Sequence, residues 1–352
     1  MLFSYPIAAT ANNWLHDGLC RMLEAVHQAG QTPRRATWDA LVAISGHHEL
    51  RGRTGLRDKI ATYQTAFRRL DANGRSQLIN ALTQQNAIRE LLAGQADCET
   101  IAALPAQIHK PLSDLFGFAF ELLSELGVRD GMYRCIYDAI PEKLCPFCGC
   151  ETFDSPKPPR EALDHYLTKS LYPCAAANLL NLVPMGNKCN SRYKLSVDII
   201  RTTTGRRRAF FPYGTGVVTV SLLDSIPFGE SSETVPQWRL TFLPETEEVE
   251  TWKEVFKIEE RYTNDELTPR YTSFLREFGR WCRRAPGVGG PPNEDDLVNL
   301  LDGFAQYMEL NGIADHAFLK AAVFRMLHRH CSSGDARLLA FIKDVVARQP
   351  QV

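Results

Sequence analysis

No apolar run in this chain of 352 residues approaches the roughly 20 needed to cross a bilayer, so the sequence predicts no membrane helix. Charge of one sign is also missing. The formal net charge is -1, and no global basic field announces a nucleic-acid partner. Such a partner would have to be held by a local patch. Cysteine is too sparse for a disulfide scaffold, with ten in the whole chain. Cys20, Cys98, Cys135, Cys282 and Cys331 stand singly in helix-like sequence and read as buried, reduced thiols. The clustered cysteines suggest metal in a reducing cytosol. The opening Met1-Leu-Phe-Ser-Tyr-Pro6 lacks a basic segment followed by an apolar one, which argues against a secretory leader and for a cytoplasmic location. There is no repeat of fixed period, and nothing resembles a zinc-finger array or a homeodomain. What remains is an ordinary globular composition, 44% hydrophobic and 23% charged, with length for two or three domains.

The pattern predicts an α+β chain in three parts. Residues 1–139 read as a helical domain, 140–212 as a compact module, and 213–352 as short strands followed by helices. Ala11 to Ala29 carries Trp14, Leu15, Leu19, Met22, Leu23 and Val26 at helical spacing, and Gly30 ends the run. A short helix is expected over Trp38 to Ile44. Two longer ones, Lys59 to Leu70 and Ser76 to Leu92, are split by the turn cluster Asp71-Ala-Asn-Gly74. Lys110 to Leu126 is another. These helices read as a scaffold, or alternatively as a docking surface using Arg34, Arg35, Arg51, Arg53, Arg57 and Lys59. From 140 to 212 Pro, Gly, Cys and Asn are dense, and Ser155-Pro-Lys-Pro-Pro159 reads as a loop. Val217 to Leu222, Trp238 to Phe242 and Val255 to Ile258 read as strands of a small sheet. From Ser273 the chain is helical again, broken at Ala285 to Pro292. Glu294-Asp-Asp296 then supplies acid to a first helical turn.

Three segments of the middle module carry chemistry. Cys145-Pro-Phe-Cys148 puts two thiols on one tight turn, the spacing of structural zinc sites. Cys189 is a natural third ligand. The residue three before it is Gly186, so no second pair is present, and Cys174 or Cys150 could supply the fourth ligand. Next, Leu163-Asp-His-Tyr166 sets a carboxylate beside an imidazole. Neighbours on a regular strand point to opposite faces, so the pair must end a strand for both to reach one phosphate. A neutral histidine can take a proton from water, and an adjacent carboxylate suits Mg²⁺ or Mn²⁺. Finally, Leu182-Val-Pro184 reads as a second short strand, and Cys189-Asn-Ser-Arg-Tyr-Lys194 as the start of a helix. Asn190 could offer an oxygen to a metal, and Arg192 and Lys194 positive charge to phosphates.

C-x-x-C, L-D-H-Y-x-x-K-S-x-Y-P and N-L-x-P-x-x-x-x-C-N, in that order between Cys145 and Lys194, resemble the HNH endonucleases, with their one-metal ββα site. The resemblance implies His165 as general base, Asp164 and Asn190 as ligands of a catalytic Mg²⁺ or Mn²⁺, and Asn181 as the residue that orients the base and its loop. Gly186 departs from the family's usual second cysteine pair, which puts the zinc in question rather than the catalysis. DNA is the implied substrate. Lys188, Arg192, Lys194, Arg206, Arg207 and Arg208 form a basic run that could neutralise phosphates without reading sequence. Long helical flanks around such a module resemble effectors of bacterial anti-phage or restriction systems, often paired with an ATPase. The competing expectation is a zinc fold that binds nucleic acid without cutting it.

Overall fold

The computed structural model describes residues 1–30, 35–157, 162–228, 234–283 and 293–348. The chain divides into two compact units. One comprises Met1, Phe3–Phe147 and Glu151–Gly216; the other comprises Leu2, Cys148–Cys150 and Val217–Val352. The architecture is α+β, mainly helical with small antiparallel sheets.

The first unit opens with helices α1 (Trp14–Gly30), α2 (Trp38–Ser45), α3 (Thr54–Arg68), α4 (Ala72–Gln85) and α5 (Ile88–Leu92), followed by α6 (Ala106–Glu125) and α7 (Val128–Ala139). Leu15, Leu19, Met22, Leu23 and Val26 bury one face of α1, as their spacing requires. The helix expected over Ser76 to Leu92 is two helices, because the chain breaks at Asn86 and Ala87. The expected turn cluster at Asp71 is instead a helix start: the Asp71 carboxylate accepts from the Gly74 N–H at 2.7 Å and caps α4. α6 packs on α3 and buries Leu112, Leu115, Phe116 and Ala119. The basic residues proposed for docking are engaged: Arg51 with Asp39, Arg53 with Glu125, Arg57 with Asp58 and Lys59 with Asp114. Arg34 lies outside the described residues, as do the last two prolines of the Ser155–Pro159 loop.

Two short hairpins complete this unit. β1 (Leu163–His165) pairs antiparallel with β2 (Leu182–Pro184), His165 opposite Leu182. β3 (Arg201–Thr202) pairs with β4 (Gly205–Arg206). After β2 the chain makes a single π-helical turn, Cys189–Lys194, where the sequence predicts the start of an ordinary helix. Leu195 ends it at φ 46°, ψ -128°.

In the second unit β5 (Thr219–Ser221) pairs with β6 (Thr241–Leu243); β5 lies inside one segment expected to be a strand, and β6 overlaps the end of another and runs one residue past it. The third expected strand, Val255 to Ile258, is a correction. Val255 and Phe256 end helix α8 (Glu247–Phe256), and Ile258 starts α9 (Ile258–Arg261). Val249, Trp252, Val255 and Phe256 recur at helical spacing, and three glutamates occupy the first turn, a pattern that outweighs local β-propensity. A second π turn, Tyr262–Leu267, leads into α10 (Thr268–Cys282). The remaining helices are α11 (Glu294–Leu310), α12 (Ala317–Ser332) and α13 (Ala336–Ala347). Asn293 and Asp296 form a reciprocal capping box on α11. Phe278, Phe304 and Phe324 pack with ring centroids 4.6–5.5 Å apart, tying α10, α11 and α12 together. The expected break at Ala285 to Pro292 lies outside the described residues.

Candidate active site

His165 is the last residue of β1, whose burial alternates, with Leu163 and His165 buried and Asp164 half-buried between them. Its Nε2 lies 3.0 Å from the Ala176 carbonyl, so Nε2 carries the hydrogen and the ring's lone pair is on Nδ1. The ring packs against Phe120 with centroids 4.3 Å apart and is 7% exposed. Burial, and then the positive charge of Lys169, push its pKa down to about 3, so the imidazole is neutral at physiological pH.

The segment after β1 is held by Asn181, which is fully buried. Its carbonyl oxygen accepts from the Leu167 N–H at 2.6 Å. Its amide donates to the carbonyls of Leu167 at 3.0 Å and Ala175 at 3.2 Å. Three backbone groups, two of Leu167 and one of Ala175, are thus fixed by one side chain. Asn178 extends the network, donating to Asn86 at 3.1 Å.

Asp164 is half-buried, and its Oδ2 lies 2.9 Å from Lys194 Nζ. That contact is an ion pair without hydrogen-bond geometry: Oδ2 is buried and has no hydrogen-bond partner. Lys194 is 1% exposed and gives its hydrogen bond to the His165 carbonyl at 2.7 Å. This corrects the expectation that Lys194 meets phosphate, since its ammonium is spent inside the fold. Asn190, half-buried on the same π turn, engages the chain through its backbone: its N–H donates to Gly186 and its carbonyl accepts from Leu195. The Asp164 carboxylate and the half-buried Asn190 amide are oxygen donors of the kind a hard divalent ion of the Mg²⁺ or Mn²⁺ class takes, but Asp164 Oδ2 already faces the Lys194 ammonium.

The cysteine knuckle forms the tip of a hairpin closed by Cys145 N–H to Glu151 and Phe153 N–H to Lys143. Ligand atoms of Cys145, Cys148 and Cys189 lie within 4.8 Å of one another, and the Cys145 and Cys189 sulfurs are 3.9 Å apart. The Gly186 N–H donates to Cys145 Sγ at 3.3 Å, as amides do around zinc-bound thiolates. These donors fit a zinc ion. Cys174 is not among them. It is buried beside Cys20 and Tyr63, with its N–H held by Gln85 at 3.0 Å. The place of the missing cysteine is taken by a residue the sequence did not suggest: a Cβ at position 186 would lie 2.7 Å from Glu151. The Glu151 carboxylate fills that room and accepts from the N–H groups of Lys188 and Cys189, capping the π turn.

The basic run is not one strip. Lys188, Arg192 and Arg208 are exposed. Arg206 donates to the carbonyls of Leu91 and Ala96 and pairs with Asp97. Arg207 is buried and donates to those of Asp198 and Ile199. Two other cations pack on the aromatic neighbour of the histidine. Arg129 sits 4.2 Å and Lys169 5.3 Å from the centre of the Phe120 ring that packs on His165. Arg129 and Phe120 come from α7 and α6, and no local pattern ties them to the Asp-His pair.

Comparison with protein-family models, with curated proteins and with solved structures returned no match.

Proposed function

We propose that this chain is a metal-dependent endonuclease or nickase of the HNH type that hydrolyses DNA phosphodiester bonds. The observation that carries the reading is the His165 site: a neutral imidazole with its lone pair on Nδ1, fixed through Ala176 and the Asn181-locked segment, next in sequence to the Asp164 carboxylate. His165 Nδ1 would take the proton from the attacking water. Asn181 keeps the ring in place. Arg129 and Lys169 place positive potential where a phosphodiester would lie, and Lys188 and Arg192 extend it. A divalent ion held by Asp164 and Asn190 would supply Lewis acidity toward the phosphate. Zinc in the cysteine knuckle would brace the turn that presents Asn190.

A second reading has its own support. The Lys194 ammonium neutralises Asp164 where a cation would be expected, which favours a nucleic-acid-binding module that does not cut. A bacterial anti-phage role with an ATPase partner rests on architecture alone. Supercoiled plasmid incubated with the purified chain and Mg²⁺ or Mn²⁺ separates the two readings. Nicked or linear product with the wild type, absent with His165→Ala or with chelator, is expected. Plasmid binding without cleavage under any divalent ion would favour the second.

A further inference from the structure

We propose a further metal site in this protein, separate from the knuckle and the His165 site, for a divalent transition ion of the zinc class, built from Cys150, Glu266 and His316 of the second unit. One ligand atom from each lies within 4.8 Å of the other two. His316 Nε2 and Glu266 Oε2 are 3.0 Å apart. Bond lengths of about 2.0–2.3 Å put the ligands of a tetrahedral zinc roughly 3.3–3.7 Å apart, so closing the three onto an ion needs shifts of about an ångström. Sulfur, nitrogen and oxygen in one cluster suit zinc and its neighbours, whereas a thiolate argues against Mg²⁺ or Ca²⁺. Three protein ligands leave the fourth position to water.

The surroundings match a ligand shell. Arg270 Nε donates to Glu266 Oε2 at 2.8 Å and orients the carboxylate. Lys320, 3% exposed, pairs with Asp315 at 2.6 Å and with Glu277 at 2.7 Å. That contact pins a two-residue left-handed turn, Asp315 at φ 45° and His316 at φ 60°, a conformation side-chain-bearing residues adopt rarely. The other ring nitrogen of His316, Nδ1, is buried with no hydrogen-bond partner and lies 3.8 Å from Asp315 Oδ1. Were Nε2 merely to donate its hydrogen to Glu266, the lone pair on Nδ1 would face a carboxylate. With Nε2 on a metal, Nδ1 carries the hydrogen and Asp315 is the outer carboxylate that metal-bound histidines commonly have. A ring protonated at both nitrogens would also satisfy the two carboxylates, with the Cys150 thiol donating to the Cys148 carbonyl at 3.2 Å; metal binding separates the two arrangements. Glu266 sits on the π turn Tyr262–Leu267, an irregularity frequent at functional positions.

The test is metal binding, independent of nuclease activity. The full chain, stripped of metal, is titrated with Co²⁺ and with Zn²⁺ as wild type, Cys150→Ser and His316→Gln, with Cys145→Ser reporting on the knuckle separately. Cys150→Ser and His316→Gln are each expected to bind one equivalent less than the wild type, and Cys150→Ser to lose part of the sulfur-to-cobalt absorption. Wild-type stoichiometry and spectrum in both would overturn the proposal. Should circular dichroism show that either variant fails to fold, the wild type decides: zinc should slow alkylation of Cys150, mapped by peptide mass, roughly tenfold or more. An unchanged rate would overturn it equally.

Discussion

The π turns Cys189–Lys194 and Tyr262–Leu267 make a useful pair, because each contributes to a cluster of side chains able to hold a metal but only one is announced in the sequence. The ligands of the first fall between residues 145 and 189, two of them on one tight turn whose three-residue spacing is itself the signal. Those of the second are drawn from residues 150, 266 and 316. Nothing in the sequence sets Glu266 apart from the other acids of the chain, and His316 owes its position to a left-handed turn held by Lys320. A site assembled by local geometry leaves a pattern; a site assembled by tertiary packing does not.

The largest effect that would sharpen the contrast is at Asn181, the hub of the locally built site. Asn181→Ala strands two carbonyls and one N–H in a buried setting. It should cost about 3 kcal/mol or more in urea unfolding, and reduce DNA cleavage by at least the effect of a misplaced base, about 10²-fold. Stability loss without loss of cleavage in the folded fraction would show that His165 does not depend on this lock.

Acid should strain the first unit selectively. Burial lowers His16 and His27, both in that unit, from 6.5 to about 4, and His27 also meets the Tyr63 hydroxyl at 2.7 Å. Between those values the unfolded chain takes up protons that the folded chain refuses. The stability they contribute is therefore complete above pH 6.5 and is lost as pH falls toward about 4, by up to about 3 kcal/mol per ring. Urea melts at pH 7 and pH 5 should show the drop, and His27→Gln should flatten it. A pH-independent midpoint would contradict the assignment.

Lys194→Met tests whether the buried ammonium opposes a metal at Asp164. Breaking the pair should cost about 2 kcal/mol, less than the 3–5 of a fully buried pair because Asp164 keeps some solvent. The same variant should lower the Mg²⁺ concentration needed for cleavage. A raised requirement would instead make Lys194 a supporting residue of the metal site.

The smallest effects distinguish the cations that face solvent from those that hold the fold. Lys188→Ala and Arg192→Ala should each lower the slope of log affinity against log salt by about 0.9 on duplex DNA. Arg206→Ala and Arg207→Ala should leave that slope alone and lower the melting temperature, since both guanidinium groups hold backbone carbonyls. The reverse pattern in filter binding would return the phosphate contacts to the arginine run.

Much of this was legible. Both strands of the Asp-His hairpin, the helical face of α1 and the three-cysteine group follow from periodicity and spacing. Charge counting did worse, because a list of arginines does not say which carbonyls they will meet, and Arg206, Arg207 and Lys194 turned inward. The occupant of the place where a second cysteine pair would stand was illegible for a related reason. Glu151 fills the space beside Gly186, and nothing in a glycine names the side chain that will occupy its vacancy. Val255 to Ile258 misled because two hydrophobic residues at the end of a helix look like the start of a strand.

The account stands most directly on His165 as the base, and chemical rescue addresses that alone. His165→Gly should leave the fold intact and abolish plasmid cleavage in Mg²⁺ or Mn²⁺, and added imidazole should restore cleavage in proportion to its concentration, because the opened pocket beside Phe120 matches the lost ring. Cleavage by His165→Gly at the wild-type rate without imidazole would contradict the account.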